Sequence, residues 1–428
     1  MSDSMLPDGW RFRSLGEVLE EVDIRARNYA GGIGLPVLSL TKNHGLILQS
    51  ERFNHRVATE DVSDYKVVER ESIVYNPYVL WEGAVHALWH QVAGLVSPVY
   101  PVWRAVEADP YFLDCLLKTA HLMEAYERVC SGVVKRRRSI SKTTFQNLTA
   151  LVPPISEQRV IVQALRAVQE ARDAHRRELD AERERKSALT THLFTFGGGC
   201  EPDDTRETEF GRVPARWPTM LLSECAYVQT GAAKGRKFVD SIELPYLRVA
   251  NVQDGYLDLS EIKTISIGRS EKERYRLRAG DVVLTEGGDF DKLGRGSVWR
   301  GEVPDCVHQN HIFAVRVNRE CLLPDFFAYL SGNAYGKAYF LSVAHKTTNL
   351  ACINTTKLKA FPVLVPPLEE QERIVAALSA CDRKIAALTM EAVLHDELFR
   401  AMLEDLMTGR LSALPLADSN EGNDEATE

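Results

Sequence analysis

An internal repeat constrains this chain more than any other feature of its sequence. Residues 151–165, LVPPISEQRVIVQAL, align without a gap to residues 364–378, LVPPLEEQERIVAAL. At the same offset, residues 186–197 align to residues 399–410. A repeat of this length predicts two similar halves, because each copy should fold as one structural unit. Further upstream the repeat is weaker, and the aligned positions are Pro7, Trp10 and Leu15 in the first copy and Pro214, Trp217 and Leu222 in the second.

The composition is that of a folded protein with a sizeable core in each half. The chain has 428 residues, of which 45% are hydrophobic. Because no run of about 18 apolar residues occurs, no membrane span is expected, and the first residues lack the pattern of a signal peptide. The eight cysteines include no C-x-x-C pair, which favours free thiols in a reducing cytoplasm over disulfides or zinc sites.

The distribution of charge separates the globular segments from the rest of the chain. The net charge is −8, and the acidic excess lies in the first residues, the linker, the second long helix and the tail. Residues 24–154 and 225–367 carry a small excess of Lys and Arg. A basic surface on these segments fits nucleic-acid binding, although many ordinary domains carry a similar excess.

Turn residues and periodicity divide the chain into globular and helical segments. Short β-type runs separated by Gly, Pro and Asn predict mixed α/β units, whereas residues 155–196 lack Pro and Gly and predict one helix of about 60 Å. The predicted class is α+β, with two similar mixed α/β domains, two long antiparallel coiled-coil helices and a pseudo-two-fold internal repeat. The predicted segments are a first domain (1–150), a spacer helix (151–197), a linker (198–216), a second domain (217–363), a second spacer helix (364–410) and a disordered acidic tail (411–428).

Both predicted helices carry a seam with alternating spacings of three and four residues, which is the pattern of a coiled coil. The first seam is polar in its middle, at Arg172, His175 and Glu182. An alternative role for this polar middle is as a docking site for another subunit. Antiparallel pairing is favoured over two independent amphipathic helices, because each helix is longer than a domain of this size requires. The apolar seam residues are Ile161, Leu165, Val168, Leu179, Leu189, Leu193, Ile374, Leu378, Ile385, Leu388, Phe399, Met402 and Leu406.

The repeated motif resembles a known family. Two variable units, each followed by VPPISEQ (152–158) or VPPLEEQ (365–371) and a long helix, are similar to the specificity subunits of type I restriction–modification systems. The resemblance covers nearly the whole chain, and the first copy departs from it where THLFTFG stands at the helix end. The resemblance implies that each globular unit is a target-recognition domain for half of a bipartite site in double-stranded DNA. It also implies that the helices set the distance between the two half-sites.

The same resemblance implies partners and cofactors. Two methyltransferase subunits would bind along the helices, and a restriction and translocation subunit would join them. S-adenosylmethionine, ATP and Mg²⁺ would bind those partners, and this chain would bind no cofactor. The implied function is therefore noncatalytic recognition of an asymmetric DNA site, which directs adenine methylation or DNA cleavage by the partners.

Basic and polar residues near the ends of predicted strands are the candidate DNA contacts. Phosphate contacts position a protein on DNA, whereas Arg reads guanine and Asn reads adenine in the major groove. The basic run at 135–138 favours phosphate contact over a solvated loop, and residues 308–310 fit base contact and structural hydrogen bonding equally well. The candidates are Lys42, Asn43, His44, Lys135, Arg136, Arg137, Arg138, Lys142, Arg248, Asn251, Arg295, His308, Gln309, Asn310 and Lys346.

Other patterns favour structural roles over catalytic ones, so no catalytic or metal-binding residue is expected. Residues 76–78 lack the second proline of an adenine-methyltransferase motif, and residues 231–237 lack the ending of a Walker loop. Residues 287–296 contain Asp and Lys side chains like those of a nuclease site, but the sequence offers no further carboxylate to complete such a site. A turn that presents Arg295 is therefore favoured over a nuclease loop. His86 and His90 have helical metal-ligand spacing but no third ligand.

Two other functions stay open at this point. The missing motifs oppose a fused methyltransferase or nuclease with its own specificity, and methyl transfer by the isolated chain would establish one. The basic globular segments oppose a scaffold that binds a methyltransferase without DNA.

Overall fold

Two compact units make up the chain. The computed structural model describes residues 7–42, 44–52, 58–130, 138–199, 204–235, 238–288, 293–346 and 351–413. One unit is formed by Met1–Arg176 with Met390–Glu428, and the other is formed by Arg177–Thr389. Each long helix therefore contributes one part to each unit.

The first unit combines short strands with short helices. Its strands are β1 (Arg11–Ser14), β2 (Leu19–Glu21), β3 (Leu38–Leu40), β4 (Leu46–Leu48), β5 (Lys66–Glu69), β6 (Ile73–Tyr75), β7 (Val85–Ala87), β8 (Ala93–Val96), β9 (Val102–Ala105) and β10 (Thr149–Val152). Its helices are α1 (Leu15–Val18), α2 (Gln49–Arg52), α3 (Pro110–Leu116), α4 (Ala120–Val129), α5 (Lys142–Gln146) and the first part of α6 (Ile155–Phe196). Four strands form an antiparallel sheet in the order β2-β9-β6-β7, and β1 pairs with β10.

The second unit has the same kinds of elements. Its strands are β11 (Thr205–Thr208), β12 (Gly211–Pro214), β13 (Thr219–Leu221), β14 (Ala226–Thr230), β15 (Ser241–Leu247), β16 (Lys263–Gly268), β17 (Val282–Thr285), β18 (Gly287–Gly288), β19 (Gly296–Val298), β20 (Val307–His308), β21 (Ile312–Val317), β22 (His345–Lys346), β23 (Ala351–Cys352) and β24 (Pro362–Leu364). Its helices are α7 (Leu222–Cys225), α8 (Lys272–Tyr275), α9 (Pro324–Gly332), α10 (Ala334–Val343), α11 (Thr355–Lys359) and part of α12 (Leu368–Met407).

The two units repeat one topology. The second unit has a four-stranded antiparallel sheet in the order β14-β21-β17-β19, and the first unit has one in the order β2-β9-β6-β7. When the four strands of each sheet are counted along the chain, both sheets have the order first, fourth, second, third. In the second unit β13 pairs with β24, as β1 pairs with β10 in the first. The predicted fold class, α+β with two similar mixed domains and two long helices, is confirmed.

Sequence composition explains where the long helices begin and end. Prolines precede both helices, and both interiors lack Pro and Gly, as the prediction of long helices required. Gly197 follows α6 with a φ of 84°, and Gly409 lies just beyond α12 with a φ of 69°. This left-handed conformation favours glycine and ends a helix.

Within each unit, α6 and α12 pack against each other in antiparallel directions. Every apolar seam residue is buried or half-buried. The seam ends also enter the domain cores, with Ile161 and Leu406 in the first core and Leu193 beside Ile374 in the second. The ion pairs that join the helices are Arg172–Asp396 (2.8 Å) and His175–Glu391 (3.5 Å) in the first unit, and Lys186–Asp382 (2.5 Å) and Glu178–Lys384 (3.1 Å) in the second.

A buried Glu-Gln pair within the repeated motif joins each long helix to its domain. In the first unit the amide of Gln158 accepts a hydrogen bond from the N–H of Asp109 (2.8 Å), the residue that caps α3. In the second unit Gln371 accepts from the N–H of Leu323 (2.8 Å), which precedes α9. Gln371 also donates to the carbonyls of Cys321 and Pro366, each at 2.8 Å. The repeated motif therefore attaches the start of each long helix to its domain through buried hydrogen bonds.

Two of the predicted segments contain folded structure that the prediction did not include. The predicted linker contains the β11–β12 hairpin, in which Thr205 pairs with Pro214. The first residues of the predicted tail pack onto the first unit, since Ala413 is fully buried and the N–H of Leu411 donates to Asp405. The rest of the tail lies outside the described residues. In the described part of the chain, no helix has both the length and the apolar character needed to cross a membrane.

Candidate nucleic-acid interface

Polar side chains gather at one end of the four-stranded sheet in the second unit. Strands β14 and β17 end at Thr230 and Thr285, opposite Phe313 and Ile312 near the start of β21. Strand β19 begins at Gly296, opposite β17. The loops beyond these strand ends therefore lie together. We call them the second loop surface, which comprises residues 231–235, 253, 286, 295 and 309–311.

Three candidate DNA contacts lie on the second loop surface: Arg295, Gln309 and Asn310. All three are half-buried. Arg295 Nη1 donates to the side-chain oxygen of Gln253 (2.9 Å). The backbone N–H of Asn310 donates to the carbonyl of Ala232 (3.0 Å), which ties the 231–235 loop to this surface. The structure therefore assembles residues that are far apart in the sequence.

An additional acidic and basic pair lies on the same surface. His311 Nδ1 is 2.7 Å from Glu286 Oε2, and His311 is exposed. Lys234 is also exposed, in the neighbouring loop. The surface thus combines amides, a carboxylate, an imidazole and cations, which are the donor and acceptor groups that recognise base edges in the major groove.

The first unit has a corresponding surface with different side chains. The N–H of Asn76 donates to Ala84 (3.0 Å), as the N–H of Thr285 donates to Arg295 (2.8 Å) in the second unit. The N–H of Ile140 donates to Pro77, as that of Ile353 donates to Glu286. The side chains of this first loop surface are Asn76, Tyr78, Trp81, Val99, Tyr100 and Arg138.

The first loop surface is richer in aromatic and apolar groups. Tyr78 is 48% exposed and Val99 is 51% exposed. The Asn76 amide donates to the Tyr100 hydroxyl (3.1 Å). Arg138 lies 5.5 Å from the centroid of the Trp81 ring and donates to the carbonyl of Glu127 (2.9 Å). Pro77, within residues 76–78 that the sequence analysis interpreted as a loop, is therefore the counterpart of Glu286 of the second unit.

Lys42 and His44 lie in the turn between β3 and β4. Both are exposed. The turn is closed by Thr41, whose hydroxyl donates to the carbonyl of Gly45 (2.9 Å) and accepts from the N–H of His44. The carbonyl of Lys42 contacts His86 Nε2 at 3.0 Å. His86 lies on strand β7 and not on a helix, so the helical spacing of His86 and His90 has no structural counterpart here.

Two candidates, Asn251 and His308, are buried in this structure, which disfavours a direct DNA contact by either side chain. Asn251 is 3% exposed, and its amide donates to the carbonyls of Asp258 and Glu261. His308 is 1% exposed, and its Nδ1 lies 3.0 Å from the carbonyl of Tyr275. Their hydrogen-bonding groups hold neighbouring backbone in place.

Two further candidates pair with carboxylates. Arg248 Nη2 lies 2.8 Å from Glu261 Oε2, and Lys142 forms an ion pair with Glu21. In each case a carboxylate already uses part of the donor capacity of the cation. Asn43, Lys135, Arg136 and Arg137 lie outside the described residues; Lys346 is on β22, and its side chain lies outside them too.

His308 predicts a pH dependence of stability. Burial lowers the pKa of His308 to about 4, below the usual value of about 6.5 for an unfolded histidine. Between these values the unfolded chain binds a proton that the folded chain does not, so stability falls as the pH decreases from about 6.5 to 4, by up to about 3 kcal/mol.

Urea unfolding at pH 7 and pH 5 measures this dependence. We expect His308→Asn, which keeps a donor near Nδ1, to show a smaller loss of stability between the two pH values than wild type. Equal losses in both proteins would contradict this assignment.

The chain is similar in sequence to known proteins. Residues 214–392 match the family model of the type I restriction modification DNA specificity domain. The chain is 24% identical over 280 residues to the MjaVIII type I restriction enzyme specificity subunit of Methanocaldococcus jannaschii, covering 64% of each chain. It is 22% identical over 262 residues to the EcoKI specificity subunit of Escherichia coli, covering 55% of this chain and 51% of that one. The chain thus spans less than two thirds of the length of these relatives.

A solved structure shows the same fold. The specificity subunit of a type I restriction–modification system from M. genitalium superposes with a TM-score of 0.54 at 12% identity, covering 95% of this chain and 98% of that chain. The fold, two similar units joined by long helices, is therefore that of the solved structure. Residues 214–392 therefore match a type I restriction modification DNA specificity domain, and the chain is similar to type I restriction enzyme specificity subunits, which is the family that the repeated motif resembles.

Sequence reasoning missed several residues of the loop surfaces. Gln253, Glu286 and Lys234 gave no signal, because single polar residues in loops are common and their neighbours are set by the fold. Tyr78 lies in residues 76–78, which resemble part of a methyltransferase motif, and the sequence analysis interpreted these residues only as a turn. Among the described residues, no group of three His, Cys, Asp or Glu side chains could hold a metal ion, and the described cysteines form no disulfide.

Proposed function

We propose that this chain is the noncatalytic subunit that recognises DNA sequence in a type I restriction–modification enzyme of the cytoplasm. Each unit would read one half of an asymmetric, bipartite site in double-stranded DNA. One observation carries the proposal: two units of the same topology present different side chains at corresponding loop surfaces. Two units that share one topology but present different side chains would recognise two different short sequences at one fixed separation.

The proposal extends to partner proteins. Two methyltransferase subunits would bind the long helices, and a restriction and translocation subunit would join the complex; S-adenosylmethionine, ATP and Mg²⁺ would bind these partners. The support is an exposed apolar stripe on one face of α12, because such a patch usually marks a protein interface. The stripe residues and their exposed fractions are Met390 (64%), Val393 (50%), Leu394 (55%) and Leu398 (47%).

Methyl transfer tests the proposal with purified proteins. The partner methyltransferase is incubated with labelled S-adenosylmethionine and DNA, with and without this chain. We expect sequence-dependent methylation of adenine only when both proteins are present. Robust methyl transfer by this chain alone would establish an enzyme, and methylation that ignores this chain would contradict a specificity role.

A variant in the stripe tests partner docking. We expect Leu394→Asp to weaken association with the methyltransferase by about 10-fold or more, because the charge must be desolvated in an apolar interface. Titration of the two proteins by calorimetry measures the affinity. Glu372→Ala, at an exposed position of the same helix outside the stripe, provides the control. Unchanged affinity of Leu394→Asp would exclude the stripe from the interface.

A further inference from the structure

Arg295 has the properties of a residue that reads a base. It is half-buried on the second loop surface, and it forms no ion pair among the described residues. Its Nε is buried without a hydrogen-bond partner in the same described part of the chain. A cation that is partly removed from water and has no carboxylate partner in the described part of the chain is costly, unless a ligand supplies acceptors.

Gln253 holds the guanidinium of Arg295 in one orientation. The Gln253 oxygen accepts from Arg295 Nη1 (2.9 Å), while its Nε2 donates to the carbonyl of Ala250 (2.7 Å). The Gln253 amide therefore cannot rotate without losing a bond at each end. This leaves the Nη2 donors and the second Nη1 donor of Arg295 for a ligand.

Buried contacts make the loop that carries Gln253 rigid. Asn251 donates to the carbonyls of Asp258 (2.8 Å) and Glu261 (3.0 Å), and its oxygen accepts from the N–H of Arg248 (2.9 Å). Arg248 also pairs with Glu261. The N–H of Gly255 donates to the carbonyl of Gly296, directly after Arg295. Asn251 and Arg248 are therefore positioning residues for the loop that carries Gln253.

Groups near Arg295 favour a base edge over a phosphate. Gln309 and Asn310 supply neutral amides, and Glu286 supplies a carboxylate that would repel a phosphate. Guanine presents two neighbouring acceptors, O6 and N7, in the major groove, and arginine contacts both at once. The corresponding position in the first unit is Ala84, which has no donor in its side chain and is 4% exposed.

We infer that Arg295, braced by Gln253, reads a guanine in the half-site of the second unit, and that the first unit reads its half-site without an equivalent contact. This inference rests on the proposed function, because it names the contact by which one unit of a specificity subunit selects its sequence.

Selection from randomised DNA tests the inference with the complete methyltransferase complex. A pool of random duplexes is methylated by the complex, and the methylated molecules are sequenced. We expect wild type to select a bipartite motif with a guanine in one half. Arg295→Ala should lower the preference for that guanine by about 10- to 100-fold and leave the other half-site unchanged. Gln253→Ala should weaken the preference at the same position.

Two further variants separate the possible outcomes. Arg295→Lys keeps the charge but loses the bidentate geometry, so loss of the guanine preference in this variant supports base contact. Arg319→Ala removes an exposed arginine beyond the opposite end of β21 and should select the wild-type motif. A motif unchanged by Arg295→Ala, or an equal loss on all sequences, would overturn the inference alone. A wild-type complex that selects no bipartite motif would overturn the proposed function and the inference together.

Discussion

Replacing Gln371 with alanine should destabilise the protein by about 3 kcal/mol or more. The side chain is fully buried and forms three hydrogen bonds at 2.8 Å, to the N–H of Leu323 and to the carbonyls of Cys321 and Pro366. Alanine would leave these backbone groups without partners, and each buried group without a partner costs about 1–3 kcal/mol. Urea unfolding of the purified chain measures the change.

Two matched variants complete this experiment. Gln158→Ala removes the corresponding glutamine of the first unit and should also be destabilising, because Asp109 and Pro153 lose their hydrogen bonds. Gln163→Ala replaces an exposed glutamine on α6 and should change stability by less than about 0.5 kcal/mol. If Gln371→Ala and Gln163→Ala had the same stability, the repeated Glu-Gln motif would not fix the helices to the domains.

Truncation of the seam of α12 should distinguish paired helices from independent ones. Leu388 is 5% exposed, and Met390, two residues further along the same helix, is 64% exposed. We expect Leu388→Ala to cost about 2–4 kcal/mol, because it leaves a cavity, and Met390→Ala to cost less than about 0.5 kcal/mol. If the helix did not pair here, Leu388 would face solvent.

The same unfolding measurement compares these two variants. Both substitutions remove apolar atoms and place alanine in a helix, so differences in helix propensity contribute little. Equal and small effects would contradict the antiparallel pairing. Equal and large effects would show that Met390 is also buried in the isolated chain.

The long helices were predictable from the sequence because their signals are local. Uninterrupted helix formers between prolines and glycines set the limits of α6 and α12, and the repeated motif indicated two similar units. The β11–β12 hairpin was missed, because its polar residues have the composition of a linker and its strands pair only with each other.

The roles of single polar residues were less predictable. Asn251 and Arg295 are both polar residues near predicted strand ends, yet the fold buries the first and leaves donors of the second available. Burial of a side chain depends on residues that are distant in sequence, so the composition of one loop does not reveal it. The pairing of Gln253 with Arg295 likewise exists only once two loops meet at the end of the sheet.

Single-molecule methylome sequencing tests the central claim most directly. One host expresses this chain together with the methyltransferase that is encoded in the same genome as this chain. A second host expresses the methyltransferase without this chain. We predict a new methylated motif of two different short halves, separated by a gap of fixed length. If no new motif appeared although the methyltransferase was expressed and folded, that result would contradict recognition of a bipartite DNA site by this chain.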